Sequence, residues 1–194
     1  MSIPQPPIPA PQAPAFPPEI YATLTGLVDA DMVRRVFNAG ATAVNAKIQK
    51  IHLLIQSTGG FVGDGIALHN YLRNLPIEIT TYNMGSVMSI AVLVYLAGNV
   101  RRASESATFM IHKSTVTLGA PSDAALLKVS AEGLILDDAR SEAIVRALVQ
   151  LPPEKWQAHE RGPLTLTSAE SVQFGLAHAI GDWAPPAGAS VSVI

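Results

Sequence analysis

The sequence predicts an α/β fold with a largely parallel sheet, and three observations carry that prediction. Short apolar runs with β-branched residues alternate with longer segments whose apolar residues recur at helical spacing. Glycine- or proline-bearing turns separate most of these segments. Hydrophobic residues make up 48% of the 194 residues and charged residues only 14%, so the chain can bury a large core. Strands that alternate with helices favour parallel pairing, and the length fits one domain better than two.

Four apolar runs predict the strands, because each is short and contains β-branched or aromatic residues. They occupy residues 20–26, 51–56, 77–83 and 107–112. The first run turns at Gly26, and the second ends in the tetrapeptide STGG. Right-handed crossovers place successive strand ends on one side of a parallel sheet, so we expect the turns that follow these strands to converge.

Five segments with apolar residues three and four positions apart predict helices. They run over 29–47, from about Asp64 to Asn74, over 89–98, over about 122–150, and within 167–180. Pro76 stops the second helix, Gly98 ends the third, and Pro152 stops the fourth. Ser168 is the candidate N-cap of the last helix, since serine is a preferred residue at that position.

The chain is expected to have three parts: a flexible arm over 1–18, one folded domain over 19–184, and a loose C-terminal tail over 185–194. Eight of the fifteen prolines lie in the first 18 residues, which favours extended polyproline conformations there. These residues include no basic side chain and no unbroken apolar run, so they do not resemble a secretory signal.

The composition argues against several classes of partner. With a formal net charge of -2 and no basic stripe, the chain is not expected to bind nucleic acid. The uncharged stretch 79–100 is long enough to span a bilayer, but the polar residues in its first half favour a buried strand, turn and helix, so no membrane partner is expected. There are no cysteines, and no motif indicates a metal or a nucleotide, so no cofactor is expected.

Two turns combine features that could support chemistry. The pair Gly59–Gly60 and the segment 85–89 both lead into helices, whose first N–H groups are unpaired and favour negative charge. They predict an anion site with Ser89 at its edge. A serine attacks a carbonyl when a base removes its proton, and His112, at the end of an apolar strand, is the candidate base. Alternatively Ser89 only caps its helix, and Ser86 is a rival nucleophile.

Three longer motifs contain these residues in a fixed order along the chain. They are STGGFVGDGIALHNYL, TTYNMGSVMSIAVLVYLAG and RRASESATFMIHKS. Together they resemble the proteolytic subunit of Clp protease, whose members show SPGG, an ASMG-like turn and MIHQP where this chain has STGG, VMSI and MIHKS. The resemblance covers about residues 20–182 without a large gap.

The resemblance implies a Clp-protease- and crotonase-like spiral of repeated β-β-α units with a protruding helical handle. It also implies a serine-type endopeptidase that hydrolyses peptide bonds through an acyl-enzyme. By position, Ser89 matches the family's nucleophile and His112 matches its base. The backbone N–H groups of Gly60 and Ile90 match the donors of the oxyanion hole. Glu160 falls where the family usually has the aspartate that orients the histidine.

The resemblance further implies peptide or unfolded protein substrates, a cytoplasmic location, and a homo-oligomer built as a heptameric ring or as stacked rings. The helical segment over 122–150 has the apolar spacing of the handle through which such rings meet. An AAA+ unfoldase is the family's ATP-driven partner. The proline-rich arm stands where the family has axial loops, which argues against that docking.

Three other functions stay open at this point. The first is a Ser–Lys peptidase that uses Lys113 as the base, although adjacent residues of a strand face opposite ways. The second is a crotonase-like acyl-CoA enzyme, which would share the fold and a pair of backbone amides. The third is a catalytically weak or inactive relative that acts as a scaffold or ring partner, because a fold alone does not guarantee chemistry.

Overall fold

The computed structural model describes residues 19–119 and 121–194, and the arm predicted over 1–18 lies outside the described residues. The strands are β1 (Glu19–Thr25), β2 (Lys50–Gln56), β3 (Glu78–Asn83), β4 (Ser86–Met88), β5 (Val100–Ala103), β6 (Thr108–Ile111), β7 (Leu164–Thr167), β8 (Ala179–Ile180) and β9 (Val191–Val193). The helices are α1 (Ala30–Asn45), α2 (Val62–Asn74), α3 (Ala91–Leu96), α4 (Ala124–Leu148), α5 (Pro153–Arg161) and α6 (Ser168–Gln173). This alternation of strands and helices confirms the predicted α/β class.

The larger sheet has six strands in the order β8-β5-β3-β2-β1-β9, and all of its neighbouring strands are parallel. β1, β2 and β3 lie side by side because α1 and α2 each return the chain across the sheet. Their carboxyl ends therefore share one edge, where open α/β sheets bind ligands. At this edge Val28 pairs with Gly60, and the Val28 N–H donates to the Gly59 carbonyl at 2.9 Å.

The smaller sheet consists of β4, β6 and β7. β4 and β6 are parallel, whereas β6 and β7 are antiparallel. β4 also bridges to the segment that follows β2, which joins the two sheets. Met88 in β4 lies opposite Met110 in β6. Ser89 and His112 follow these two residues closely, so the pairing of β4 with β6 carries both to the same end of the smaller sheet.

The core is densest around α3, whose six residues are each at most 2% exposed. α3 packs against α2, α4 and the smaller sheet. Nδ1 of His69 in α2 donates to the Leu93 carbonyl in α3 at 2.7 Å. The uncharged stretch 79–100 is thus shared among strands and this buried helix. Across the residues that the structure describes, none of the helices combines the length and the apolar character needed to cross a membrane.

α4 differs from the other helices because it is mostly uncovered. Within its 25 residues only Val145 is buried. Five large apolar side chains on it are between 49% and 69% exposed: Leu126, Leu127, Val129, Ile135 and Leu136. α4 contacts α2 and α3.

The structure contains elements that the sequence pattern does not predict. β4 lies within the segment 85–89, which the sequence pattern predicts as a turn, and β5, β7, β8 and α5 are absent from the predicted elements. The tail over 185–194, expected to be loose, contributes β9, which pairs in parallel with β1 at the edge of the larger sheet. These strands are two to four residues long, so they have too few positions to show an alternating pattern.

The N-cap of α6 is Thr167, so the assignment of Ser168 to that position is wrong. The Thr167 Oγ1 accepts from the Glu170 N–H at 3.2 Å, and the Glu170 carboxylate accepts from the Thr167 N–H at 2.9 Å. These two bonds form a capping box. Ser168 is buried and its hydroxyl donates to the carbonyls of Ser104 and Ala107.

Candidate active site

Ser89 lies in the sharp turn between β4 and α3, in a backbone conformation that serine rarely adopts. Its φ is +55°, in the left-handed region, which costs roughly 1–2 kcal/mol for a residue with a side chain. The Ser89 N–H donates to the Met110 carbonyl at 2.6 Å, and the Ser89 carbonyl accepts from the Val92 N–H at 3.0 Å. A strained serine between a strand and a helix is the arrangement by which a nucleophile elbow exposes its hydroxyl.

The two competing interpretations of these serines fit the structure poorly. The N-cap position of α3 is Ile90, and no side chain caps that helix, so Ser89 does not serve as its cap. Ser86 lies in β4 and exchanges hydrogen bonds with the side chain of Gln56. The Gln56 amide donates to the Ser86 hydroxyl at 3.0 Å and accepts from the Ser86 N–H at 3.0 Å. The Ser86 side chain therefore has a local structural contact.

Two glycines allow the turns around Ser89 to meet. Gly59 has a φ of +102°, and a Cβ at that position would lie 2.6 Å from the Ser89 Cβ. A Cβ on Gly60 would lie 2.1 Å from the Val28 carbonyl oxygen. Any side chain at either position would overlap these neighbours. The glycine pair noted in the sequence is thus required for close approach of backbone to backbone.

The turns after β2, β4 and β6 form one wall of a cleft of about 220 Å³, and α4 and α5 form the opposite wall. Ser89 and His112 both line this cleft, together with Gly60 and Ile90. Four of the five residues proposed from the sequence are thus brought to one place. Phe61, beside Gly60, is 64% exposed at the entrance.

The imidazole of His112 has a defined tautomer. Its Nδ1 lies 2.6 Å from the carbonyl oxygen of Lys113. A carbonyl only accepts hydrogen bonds, so Nδ1 carries the ring hydrogen and Nε2 retains a lone pair. A base that takes a proton from a serine through Nε2 needs this tautomer.

Glu160, the fifth residue proposed from the sequence, lies on α5 at the border of the cleft. Its Oε1 is 3.0 Å from the Lys113 Nζ, and its side chain is 56% exposed. The same lysine also contacts the carboxylate of Glu142 on α4. The described contacts of the Glu160 carboxylate are thus with Lys113, and Glu160 does not line the cleft itself.

Two carboxylates contact the side chain of Lys113 and favour its protonated form. Burial acts to lower the pKa of Lys113, but the carboxylates of Glu142 and Glu160 outweigh it and hold that pKa above the usual value. A lysine that serves as a general base must be neutral near pH 7. The charge environment of Lys113 therefore argues against the Ser–Lys alternative.

None of the residues of the opposite wall was proposed from the sequence, and Trp156, His159 and Glu142 are among them. Trp156 and His159 lie three positions apart on α5, and Glu142 faces them from α4. The spacing of Trp156 and His159 is a helical signal, because residues three apart share one face of a helix. The short helix after Pro152 was not predicted, so that signal was not used.

Comparison with protein-family models gives a match over most of the chain. A family model described as Clp protease matches residues 20–183. The matched segment contains every element from β1 to β8 apart from the first residue of β1, and with them all residues of the cleft.

Individual relatives agree with this match at low identity. ATP-dependent Clp protease proteolytic subunit 2 of Pseudomonas aeruginosa is 24% identical over 159 residues, which cover 81% of this chain and 78% of the relative. A protein of the same name from Chlamydia muridarum is 29% identical over 129 residues, 65% of this chain and 62% of the relative. The corresponding subunit of Cyanophora paradoxa is 33% identical over 73 residues, 37% of this chain and 38% of the relative.

Proposed function

The chain belongs to the Clp protease family, and from that membership we propose that it is a serine-type endopeptidase working through an acyl-enzyme. One observation carries the catalytic part of this proposal. Ser89 is held at a φ of +55° in a strand–turn–helix, and its side chain shares a cleft with His112. Strain of this kind persists where the surrounding structure enforces it, and it is concentrated at active sites.

In the proposed mechanism the proton of the Ser89 hydroxyl passes to Nε2 of His112 as the Ser89 oxygen attacks the peptide carbonyl. The N–H groups of Gly60 and Ile90 are the proposed donors to the resulting oxyanion, and each such donor is typically worth roughly a hundred- to thousand-fold in rate. His112 then gives its proton to the leaving amine. Water, activated by the same imidazole, releases the acyl group.

The lining of the cleft supports a peptide with an apolar side chain near the scissile bond. Leu93, Ile111, Leu134 and Val145 contribute aliphatic surface, and Trp156 adds an aromatic face. The rest of the lining is largely polar and includes the carboxylates of Asp137, Asp138 and Glu142, so the apolar surface forms only part of the cleft. Substrates would be peptides or unfolded protein segments that can enter in an extended form.

Glu160 as the residue that orients His112 stays a prediction. Its carboxylate would have to leave Lys113, which it contacts at 3.0 Å, in order to accept from the His112 ring. A Glu160→Gln variant keeps the size of the side chain and removes its charge. If Glu160 is the acid, this change lowers kcat without a comparable change in KM.

The crotonase-like spiral, the handle and the ring belong to the same proposal. The uncovered α4, with its five exposed apolar side chains, supports a role as the handle between copies of the chain. Exposed apolar surface of this kind marks interaction sites. We propose a homo-oligomer of the family type, a heptameric ring or stacked rings, located in the cytoplasm.

An ATP-driven AAA+ unfoldase remains the least supported partner. The relatives are named as subunits of an ATP-dependent protease, which makes such a partner a candidate for this chain. Hydrolysis of short peptides would not need it, whereas degradation of folded proteins would. Comparing the two substrates with and without an added unfoldase and ATP separates these cases.

The proposed function is tested by hydrolysis of a dipeptidyl aminomethylcoumarin amide with an apolar residue before the scissile bond. Ser89→Ala is expected to lower kcat by at least about 1,000-fold, because the nucleophile is lost. Ser86→Ala, three residues away, is the matched control and should keep the wild-type kcat.

His112→Ala and Lys113→Ala complete this comparison. Loss of hydrolysis in His112→Ala alone supports the Ser–His mechanism, whereas loss in Lys113→Ala alone would favour the Ser–Lys mechanism. A wild-type protein that assembles normally but neither hydrolyses peptides nor reacts with a fluorophosphonate would support the inactive scaffold instead.

A further inference from the structure

A second histidine lies against the same cleft and is not used by the mechanism above. Within α5, His159 is the one buried residue, with 4% of its surface exposed. Its ring lines the cleft that Ser89 and His112 also line. The neighbouring Glu160, by contrast, is more than half exposed. α5 is therefore oriented with His159, and not Glu160, facing the candidate active site.

One nitrogen of this ring has no partner. Nδ1 of His159 is buried, and no atom of residues 19–119 or 121–194 is hydrogen-bonded to it. Buried polar atoms are nearly always paired, because leaving one unpaired costs the full desolvation of that group. An unpaired acceptor beside a cleft is therefore suited to a contact that forms only when the site is aligned, since catalytic hydrogen bonds are often loose in an empty site.

The other side of the ring faces a carboxylate. Nε2 of His159 is 3.6 Å from Oε1 of Glu142 on α4. Glu142 is itself fixed by Lys113 and by Arg146, whose Nη2 is 3.1 Å from Oε2 of Glu142. At 3.6 Å this contact is longer than a hydrogen bond, but the nearby carboxylate, which only accepts, favours the tautomer with the ring hydrogen on Nε2 and the lone pair on Nδ1.

The surroundings keep this ring neutral. Burial lowers the pKa of His159, and the nearby Lys113 lowers it further, against the opposite influence of the carboxylates of Glu142, Glu160 and Asp138. Trp156 meets the ring edge-on, with 5.8 Å between the centroids, which restricts its rotation. A neutral, fixed imidazole can accept a hydrogen bond at pH 7.

We propose that His159, held by Glu142, replaces the acid of the triad as the positioning residue for His112. In the aligned site, His112 turns its Nδ1–H from the Lys113 carbonyl to Nδ1 of His159. The O–H bond of Ser89 breaks and an N–H bond forms at Nε2 of His112. No proton moves to His159, whose Nε2–H faces the Glu142 carboxylate. The charge that develops on His112 is thereby stabilised by the Glu142 carboxylate through the intervening ring.

This inference rests on the proposed function, and a pair of substitutions tests it on the same coumarin peptide. His159→Phe keeps a ring but removes the acceptor, and should lower kcat about 10- to 100-fold with KM within about twofold. His159→Asn places an amide oxygen near the position of Nδ1 and should recover most of that loss. Glu154→Gln, an exposed change on the same helix, is the control and should match the wild type.

A pH profile adds a result that a merely structural role would not produce. His159→Asp places a carboxylate beside His112, and a neighbouring negative charge favours a protonated imidazole. The acid limb of kcat/KM should therefore move to higher pH by about one unit. Thermal unfolding of each variant confirms that it is folded.

The outcomes separate this inference from the proposed function. If the wild type neither hydrolyses the peptide nor is labelled at Ser89, the proposed function fails and this inference fails with it. If the wild type is active but His159→Phe keeps the wild-type kcat, only the role of His159 is overturned. The role of His159 is also overturned if His159→Phe and His159→Asn lose kcat equally and His159→Asp leaves the acid limb of kcat/KM at the wild-type pH. If kcat falls in Glu160→Gln but not in the His159 variants, Glu160 is the residue that orients His112.

Discussion

At the scale of single residues, the geometry of Ser89 depends on the absence of a side chain at Gly59. Gly26 and Gly59 have the same φ of +102°, but a Cβ on Gly26 would meet open space, whereas a Cβ on Gly59 would lie 2.6 Å from the Ser89 Cβ. A side chain would therefore meet similar backbone strain at both positions, but only at Gly59 would it also overlap the proposed nucleophile.

Alanine substitutions at these two glycines should consequently have different effects. Gly26→Ala is expected to lower the free energy of unfolding by roughly 1–2 kcal/mol and to keep kcat. Gly59→Ala is expected to carry the same cost and also to displace Ser89, lowering kcat for the coumarin peptide at least about tenfold. Urea unfolding and steady-state kinetics on both variants measure this. Equal kcat values in the two variants would contradict the proposed contact.

The sequence alone proposes Ser89 and His112, with Gly60 and Ile90 beside them, but not the residues of the opposite wall of the cleft. Ser89 and His112 both follow short apolar strands at glycine-bearing or polar turns, so local pattern and motif order were sufficient to propose them as catalytic residues. The choice between Glu160 and His159 depends on the rotational phase of α5, because adjacent helical residues point about 100° apart. That helix was not predicted, so the sequence could not indicate which of the two side chains faces the cleft.

At the scale of secondary structure, the start of α6 is set by the capping box between Thr167 and Glu170. Thr167→Ala removes the side chain that accepts from the Glu170 N–H and should lower the free energy of unfolding by about 1 kcal/mol. Thr165→Ala, an exposed change on the same strand, is the matched control. Equal unfolding free energies in the two variants would show that the cap is unimportant.

The contacts of Ser168 explain why the sequence placed the N-cap of α6 one residue too late. Thr167 and Ser168 are both good N-cap residues, so local preference does not distinguish them. The Ser168 hydroxyl is taken by the carbonyls of Ser104 and Ala107, which are about sixty residues away along the chain. A long-range contact of this kind has no signal in the local sequence.

At the scale of the whole molecule, stability is expected to fall as the pH is lowered from about 7 to 5. Burial lowers the pKa of His69, and the hydrogen bond to the Leu93 carbonyl only partly offsets this. In the unfolded chain a histidine has a pKa near 6.5, so below that pH the unfolded state binds a proton that the folded state does not. Stability is lost as the pH falls from about 6.5 toward the lowered folded-state pKa.

Urea unfolding at pH 7, 6 and 5 checks this dependence. His69→Gln removes the titrating group and keeps a donor, so the decrease in unfolding free energy should be smaller in the variant, by up to about 1.4 kcal/mol per pH unit. An identical pH dependence in the two proteins would show that His69 does not contribute to it.

The exposed apolar side chains of α4 lead to an expectation about assembly. Ile135 is 69% exposed, so a charged residue there should not disturb the fold of one chain. If α4 is an interface, the wild type should have a mass several times that of one chain, and Ile135→Asp should shift it toward the monomer. Mass photometry measures both, with Arg140→Gln as a polar control on the same helix. A monomeric wild type would remove the ring proposal without affecting the catalytic one.

The most direct test of the central claim is the location of a fluorophosphonate adduct. Trypsin should release residues 74–101 as one peptide, which contains Ser86 and Ser89, and fragmentation distinguishes the two serines. The proposed mechanism predicts one adduct on Ser89 in the wild type, and none on this peptide in Ser89→Ala. An adduct on Ser86, or labelling that persists undiminished in Ser89→Ala, would contradict it.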